Sequence, residues 1–375
     1  MTASRRAAHV LVAALLVLGA ACAGAAEPAP LERARSGPTL AEGVAVAAGQ
    51  RFLDDHVEPD GRVVRHDEGG DTVSEGQAYA MFVAVALEDR ERFDAVWGWT
   101  KEHLQREDGL LAWRWADGGV VDPMPATDAD VDAAHALALA SQVFVEPDLA
   151  REAGHIAGAV LAHETTDTGL GPTAVAGPWA RGGDGADPVV NPSYGAPLAY
   201  DVLGRLTGDG TWEALDDSAR RVVADAARDT DLAPDWAELR PGAVEPTGPP
   251  SGAGEPVHGY DAVRTAVRLA TDCEPAGRDL AAAMDDEYDA AALPDGGPAA
   301  VLALDGEPLV RHGHPAASVG AAAAALAAGD ADDAGRLLSV AEQQLSDDPT
   351  YYGSAWVALG RLWLTTERLG GCAGD

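Results

Sequence analysis

Val73-Ser74-Glu75-Gly76-Gln77-Ala78-Tyr79-Ala80-Met81 reads as a helix that opens with an acid at its mouth. Ser74 and Gln77 have the spacing of a capping box, so the helix is expected to start near Ser74. Glu75 then falls in the first turn, where the helix dipole favours a negative charge. A first-turn Glu is common for that reason alone, and spacing by itself does not make it functional. Helical periodicity surrounds the stretch. Leu40, Val44, Ala47, Ala48, Phe52 and Leu53 mark one apolar stripe. Similar stripes run through 74–88, 91–105, 128–144, 148–163, 195–206, 211–228, 259–271, 278–290, 315–328, 332–346 and 351–368. That makes about twelve helices joined by Gly- and Pro-rich loops. The one persuasive strand pair lies at 110–121, where Leu111, Trp113 and Trp115 alternate and Asp117-Gly118 supplies a turn. Long loops are expected at 165–190 and 240–258. The fold class is all-α: one domain over 40–370, suited to a closed double ring of helix pairs.

Two further helix starts resemble the first. Ala126-Thr127-Asp128-Ala129-Asp130-Val131-Asp132 follows a loop containing Pro123 and Pro125. Dipole and cap chemistry accounts for one of its acids well and for three poorly, so partners are expected to hold some of them. Asp128 and Asp132, four apart, share a helical face. In Gly259-Tyr260-Asp261-Ala262-Val263-Arg264-Thr265-Ala266-Val267-Arg268, Asp261 opens an apolar-periodic helix, with Arg264 and Arg268 one turn apart behind it. A plain Asp–Arg structural pair explains that spacing as well as a functional site does.

Composition narrows the partners. The chain has 375 residues, 47% hydrophobic and 23% charged, enough to bury a core. Its net charge is −35, which excludes nucleic acid and disfavours anionic membranes. Arg5 and Arg6, an apolar run from Val10 to Leu18 and small residues through Ala26 have the layout of a secretory signal over 1–26. The run is too short to span a membrane. Gly19-Ala20-Ala21-Cys22 resembles a bacterial lipobox with Gly19 in place of the usual Leu. Lipid on Cys22 is one outcome and the only membrane link expected; cleavage after Ala23 or Ala25 is the other. Residues 27–39 read as a tether. Cys273 and Cys372 either pair or stay as separate buried thiols. A monomer is expected.

Several motifs are set aside. GxSxG, HExxH and GxxxxGK[ST] are absent from the sequence. Asp128, Asp130 and Asp132 fail as a calcium loop, because Ala133 and Leu139 occupy its sixth and twelfth positions. Asp285-Asp286-Glu287-Tyr288-Asp289 reads as a solvated helix face and His312-Gly313-His314 as a loop.

Taken together and in order, Ser74–Met81, Ala126–Asp130 and Tyr260–Arg264 resemble the signatures of glycoside hydrolase family 8. Phe93–Thr100, Leu111–Arg114, Asn191–Tyr194, Pro234–Trp236 and the segment from Tyr351 to Leu364 match secondary family segments, so the resemblance spans about residues 40–368. It implies an (α/α)6 barrel, with the hairpin as a small insertion, and hydrolysis of a β-1,4-linked polysaccharide with inversion. No cofactor and no metal are implied. Carried over by motif, Glu75 is the general acid, Asp128 holds and distorts the sugar, and Asp261 is the general base. Tyr194, Tyr260 and Arg264 match neighbouring site positions. The chemistry asks Glu75 to keep its proton and Asp261 to stay ionised with help from Arg264. Trp113 and Trp115, alternating on one side of the hairpin, offer a stacking surface for sugar rings or else pack in the core. Ala80, Ala133, His135 and Ala266 depart from the family pattern and leave the substrate open: β-1,4-glucan foremost, such as a self-made exopolysaccharide, then xylan or chitosan. A catalytically silent glycan binder and a polysaccharide lyase are the readings from other classes.

Overall fold

The computed structural model describes residues 39–252 and 254–372. The signal, lipobox and tether fall on residues outside these, apart from Thr39. Thirteen helices form among the described residues: α1 (Leu40–His56), α2 (Ser74–Ala86), α3 (Arg90–His103), α4 (Thr127–Val143), α5 (Pro147–His163), α6 (Pro197–Thr207), α7 (Thr211–Ala226), α8 (Val263–Ala270), α9 (Pro275–Ala283), α10 (Asp285–Ala290), α11 (Pro315–Ala328), α12 (Ala331–Asp347) and α13 (Tyr351–Thr365).

They alternate between two environments. Helix α12 buries Ala334, Leu337, Leu338 and Ala341, the single stripe of a helix with one face in water. Helix α2 buries every residue except Glu75, and α4, α8, α11 and α13 are buried almost all round. A helix apolar on all sides needs neighbours on all sides. The inner helices therefore pack in a ring, α2 on α4, then α6, α8, α11 and α13, which returns to α2. Helices α1, α3, α5, α7, α9 and α12 lie outside, and α1 against α13 closes the seam between the two ends of the domain. Small residues bring the inner helices close: a Cβ on Gly320 of α11 would stand 2.7 Å from the Val263 carbonyl oxygen of α8. This is the (α/α)6 barrel.

Connections from inner to outer helices take only two to four residues. Those from outer to inner helices are long, apart from residues 348–350 before α13. All the long connections thus gather at one end, the N-terminal end of the inner ring. They carry four small antiparallel sheets. The first joins β1 (Thr72–Val73), β2 (Arg114–Ala116) and β3 (Gly119–Asp122). The second pairs β4 (Thr165–Thr168) with β5 (Gly171–Ala174). The third joins β6 (Val189–Val190), β7 (Trp236–Arg240) and β8 (Ala243–Thr247). The fourth pairs β9 (Val257–His258) with β10 (Leu302–Ala303). Three of these sheets lie in or beside segments read from sequence as plain loops. Pro241-Gly242, with Gly242 at φ 81°, turns β7 into β8 and was the available signal. The segment 278–290 is two helices, α9 and α10, which meet at Met284.

Cys273 and Cys372 pair, 99 residues apart in sequence. The bond ties the α8–α9 connection to the tail beyond α13. It borders a cavity of about 980 Å³ that shares no residue with the acids of the helix mouths. No described helix is long and apolar enough to cross a membrane.

Candidate active site

The inner helices start at the end that carries the long connections, and the predicted acids come with those starts. Ser74 begins α2 as expected, but no capping box forms. Gln77 is buried and faces away from the cap: its Oε1 accepts from Val63 N at 2.6 Å and its Nε2 donates to Thr100 Oγ1 at 2.8 Å. This amide fixes the chain before α2 and holds α3 beside it. The Ser74 N–H is satisfied by the Trp113 carbonyl at 2.9 Å. Glu75 is left facing the open end. Trp113 Nε1 donates to its Oε1 at 3.3 Å and Ser74 Oγ to its Oε2 at 3.4 Å.

Asp128 lies in the first turn of α4 and is 2% exposed. Its Oδ2 accepts from Arg264 Nη1 at 2.8 Å, while Arg264 Nη2 donates to Asp261 Oδ1 at 2.7 Å. One guanidinium therefore joins the two acids that the motifs singled out separately. Its planar fork can serve two carboxylates at once, which an ammonium cannot do with the same geometry. One turn deeper the pattern repeats, with Arg268 Nη2 on Asp132 Oδ2 at 2.6 Å. The (i, i+4) acids of α4 and the (i, i+4) arginines of α8 thus make a two-rung ladder across the ring. The structural reading of the Asp261–Arg264 spacing holds: the two side chains form an ion pair. Asp261 itself sits in a turn, since α8 is helical only from Val263. Its side chain keeps 34% exposure, whereas that of Arg264 has 4%.

Charge is distributed unevenly. Burial pushes the Glu75 carboxyl above the usual carboxylic range, against smaller opposing pulls from Arg264, the Trp113 N–H and Arg65. Burial and then the nearby Glu75 charge push Asp128 up to about 7. Two such neighbours do not readily ionise together. The ion pair with Arg264 favours the charged form of Asp128, and Glu75 has no such partner at ion-pair distance among the described residues.

The aromatic residues divide. Trp113 faces Glu75. Trp115 is turned away, packed on Trp99 at 5.5 Å between ring centroids and under Arg62 at 4.4 Å. Trp113 lies in a bend ahead of β2, so strand alternation does not place both indoles on one side. Trp115 thus packs against Trp99 and Arg62 and is partly buried. Tyr194 lies beneath the Arg264 guanidinium at 5.4 Å. Its turn is held by Asn191 Oδ1, which accepts from Ser193 N and Oγ. Tyr260 is 40% exposed and stands edge-on to His314 at 5.0 Å. His314, in a loop as expected, caps α11 by accepting the Ala316 N–H at Nδ1.

Three neighbours escaped the sequence reading. Tyr352, at the start of α13, donates to the Tyr260 carbonyl at 2.8 Å. Tyr79 Oη stands 3.4 Å from Arg264 Nη1. Trp179 is 45% exposed beside the Pro125 loop that leads into Asp128. An exposed tryptophan in a long Gly-rich loop was the one signal of the three visible in sequence.

Known proteins place this arrangement. The model of glycosyl hydrolases family 8 matches residues 39–366. A probable endoglucanase of Novacetimonas hansenii is 36% identical over 191 residues, 49% of this chain and 55% of that protein. An endoglucanase of Pseudomonas fluorescens is 31% identical over 234 residues, 58% of this chain and 57% of that protein. The matched span is thus little more than half the length of these relatives. The solved endo-β-1,4-glucanase of Acetobacter xylinum superposes with a TM-score of 0.71 at 27% identity, over 84% of this chain and 96% of that one. With a family match across almost the whole described domain, the chain belongs to glycosyl hydrolases family 8.

Proposed function

We propose that the protein is an exported, endo-acting glycosidase that hydrolyses β-1,4-glucan with inversion. The observation that carries this reading is the asymmetry of the acids: Glu75, half-buried at the mouth of α2, forms no ion pair among the described residues, while Asp261 is paired with the guanidinium that also anchors Asp128. In one displacement, Glu75 gives its proton to the glycosidic oxygen as the bond from that oxygen to C1 breaks. A water oxygen bonds to C1 from the opposite face, and Asp261 takes the proton that this water loses. The β-linkage becomes an α-hemiacetal, and the two carboxyls have exchanged one proton through substrate and water. Asp128, fixed by Arg264, meets the sugar at the cleavage point, with Tyr194, Tyr260 and Trp113 around it.

The names of the endoglucanase relatives support glucan as the substrate, and the acidic surface suits a neutral polymer. The Cys273–Cys372 bond supports an oxidising compartment and so export. Lipid on Cys22 would keep the enzyme at the outer face of its own membrane, where a self-made exopolysaccharide is the nearest polymer.

The test is incubation with soluble β-1,4-glucan, xylan and chitosan, following viscosity and reducing ends. The expected result is a fast fall in viscosity with few reducing ends on glucan. Turnover on xylan or chitosan alone would reassign the substrate, an unsaturated product absorbing in the ultraviolet would indicate a lyase, and binding without turnover would indicate a silent binder.

A further inference from the structure

Asp235, in the connection between α7 and α8, reaches the base without touching it. Its Oδ1 accepts two backbone N–H bonds, from Gly259 at 2.9 Å and from Ala262 at 2.8 Å. These two amides bracket Tyr260 and Asp261, so one oxygen ties both ends of the turn that presents the base. The backbone adds its own bonds to this turn, from Val263 N to the Gly259 carbonyl at 3.2 Å and from Arg264 N to the Asp261 carbonyl at 3.1 Å, but the Gly259 and Ala262 N–H groups lie ahead of the helix and are held by Asp235. Asp235 is in turn anchored by its own N–H, which donates to the Val257 carbonyl at 2.8 Å. The fit is close: a Cβ on Gly259 would stand 2.7 Å from Asp235 Oδ2.

We propose that Asp235 is a positioning residue for the reaction, clamping the 259–262 turn so that the Asp261 carboxylate and the water it activates stay in line with C1. This rests on the reading of Asp261 as the base. Burial, and then the charge of Asp261, push the Asp235 carboxyl up to about 7. Below that pH its proton belongs on Oδ2, because Oδ1 already accepts two bonds. Asn therefore reproduces both its charge and its acceptor over the acid range, and Ala removes both.

The experiment compares Asp235→Asn, Asp235→Ala and Gly259→Ala with the unaltered protein at pH 5–6. Asp235→Asn is expected to keep kcat within about threefold. Asp235→Ala, and Gly259→Ala by displacing the clamp from the other side, are expected to lose on the order of 10²-fold in kcat with little change in KM. The loss extends to an aryl cellobioside with an activated leaving group, since water attack is impaired and leaving-group protonation is not. A residue that merely stabilised the fold would give no such split. The clamp is also read without turnover: the Gly259 and Ala262 amide hydrogens exchange slowly in the unaltered protein and in Asp235→Asn, and rapidly in Asp235→Ala. Wild-type kcat in Asp235→Ala, a large loss in Asp235→Asn, or unchanged exchange at both amides overturns the inference. Absence of turnover in the unaltered protein overturns the glycosidase reading instead, and the exchange comparison still decides the clamp.

Discussion

Replacing Glu75 by Gln separates the proton at position 75 from everything else the side chain does. The substitution conserves shape, and the amide oxygen still accepts from Trp113 Nε1, so the mouth of α2 keeps its geometry. No ion pair is broken, because Glu75 makes none among the described residues. What is lost is one transferable proton. General-acid catalysis contributes about 10²–10⁴-fold, or about 3–5 kcal/mol of barrier. Turnover of β-1,4-glucan in Glu75→Gln is expected to fall by that factor with KM nearly unchanged. A dinitrophenyl β-cellobioside, whose leaving group departs without protonation, is expected to lose less than about tenfold. Stability gives an independent readout. Burial raises the folded-state pKa of Glu75 above its unfolded value, so ionisation costs folding free energy. That cost is absent below the unfolded pKa and is complete once pH has risen through the folded pKa. Glu75→Gln is therefore expected to melt with the unaltered protein in acid and above it at alkaline pH. Equal losses on both substrates, or an unimpaired polymer rate, would refute the assignment of the acid.

Other consequences concern the fold. Reducing the Cys273–Cys372 bond opens a closure of 99 residues; the expected cost is ~4–5 kcal/mol and a fall in Tm on the order of 10 °C, with kcat at 25 °C unchanged. Asp130 and Glu164 are both buried, with Asp130 Oδ2 and both Glu164 carboxylate oxygens unpartnered among the described residues, and burial raises both well above the carboxylate range. Their stability contribution is therefore lost as pH rises through the folded values, and Glu164→Gln is expected to flatten the alkaline fall of Tm; parallel Tm–pH curves would contradict this. A Cβ at Gly76 would overlap the buried Tyr351 hydroxyl, which has no hydrogen-bond partner among the described residues. Gly76→Ala is expected to cost about 1–3 kcal/mol by urea unfolding, and Tyr351→Phe in the same chain to recover most of it.

The succession of helical segments along the chain made the barrel readable: outer helices such as α12 repeat a 3.6-residue stripe, and inner helices such as α2 and α11 are apolar nearly all round. The acids were readable as helix mouths, yet spacing could not show that Arg264 of α8 would reach across the ring to Asp128 of α4, 136 residues away in sequence. The small strands of the long connections were poorly legible. Their pairing depends on which loops lie side by side, and two-residue strands such as Val257–His258 carry no periodicity. Trp115 shows the same limit: period two predicts one face, but Trp113 lies in a bend ahead of β2, so the two indoles do not alternate along one strand. Gln77 was placed correctly at the start of α2 for the wrong reason, since its amide serves a buried network that links Val63 and Thr100.

The stereochemistry of the first-formed product tests the account most directly. Proton NMR of a β-1,4-glucan digest, recorded before mutarotation, distinguishes the anomers of the new reducing end. A proton donor at Glu75 opposite a water-activating Asp261 predicts the α anomer. Initial appearance of the β anomer would require a covalent intermediate and would contradict the roles given to both carboxyls.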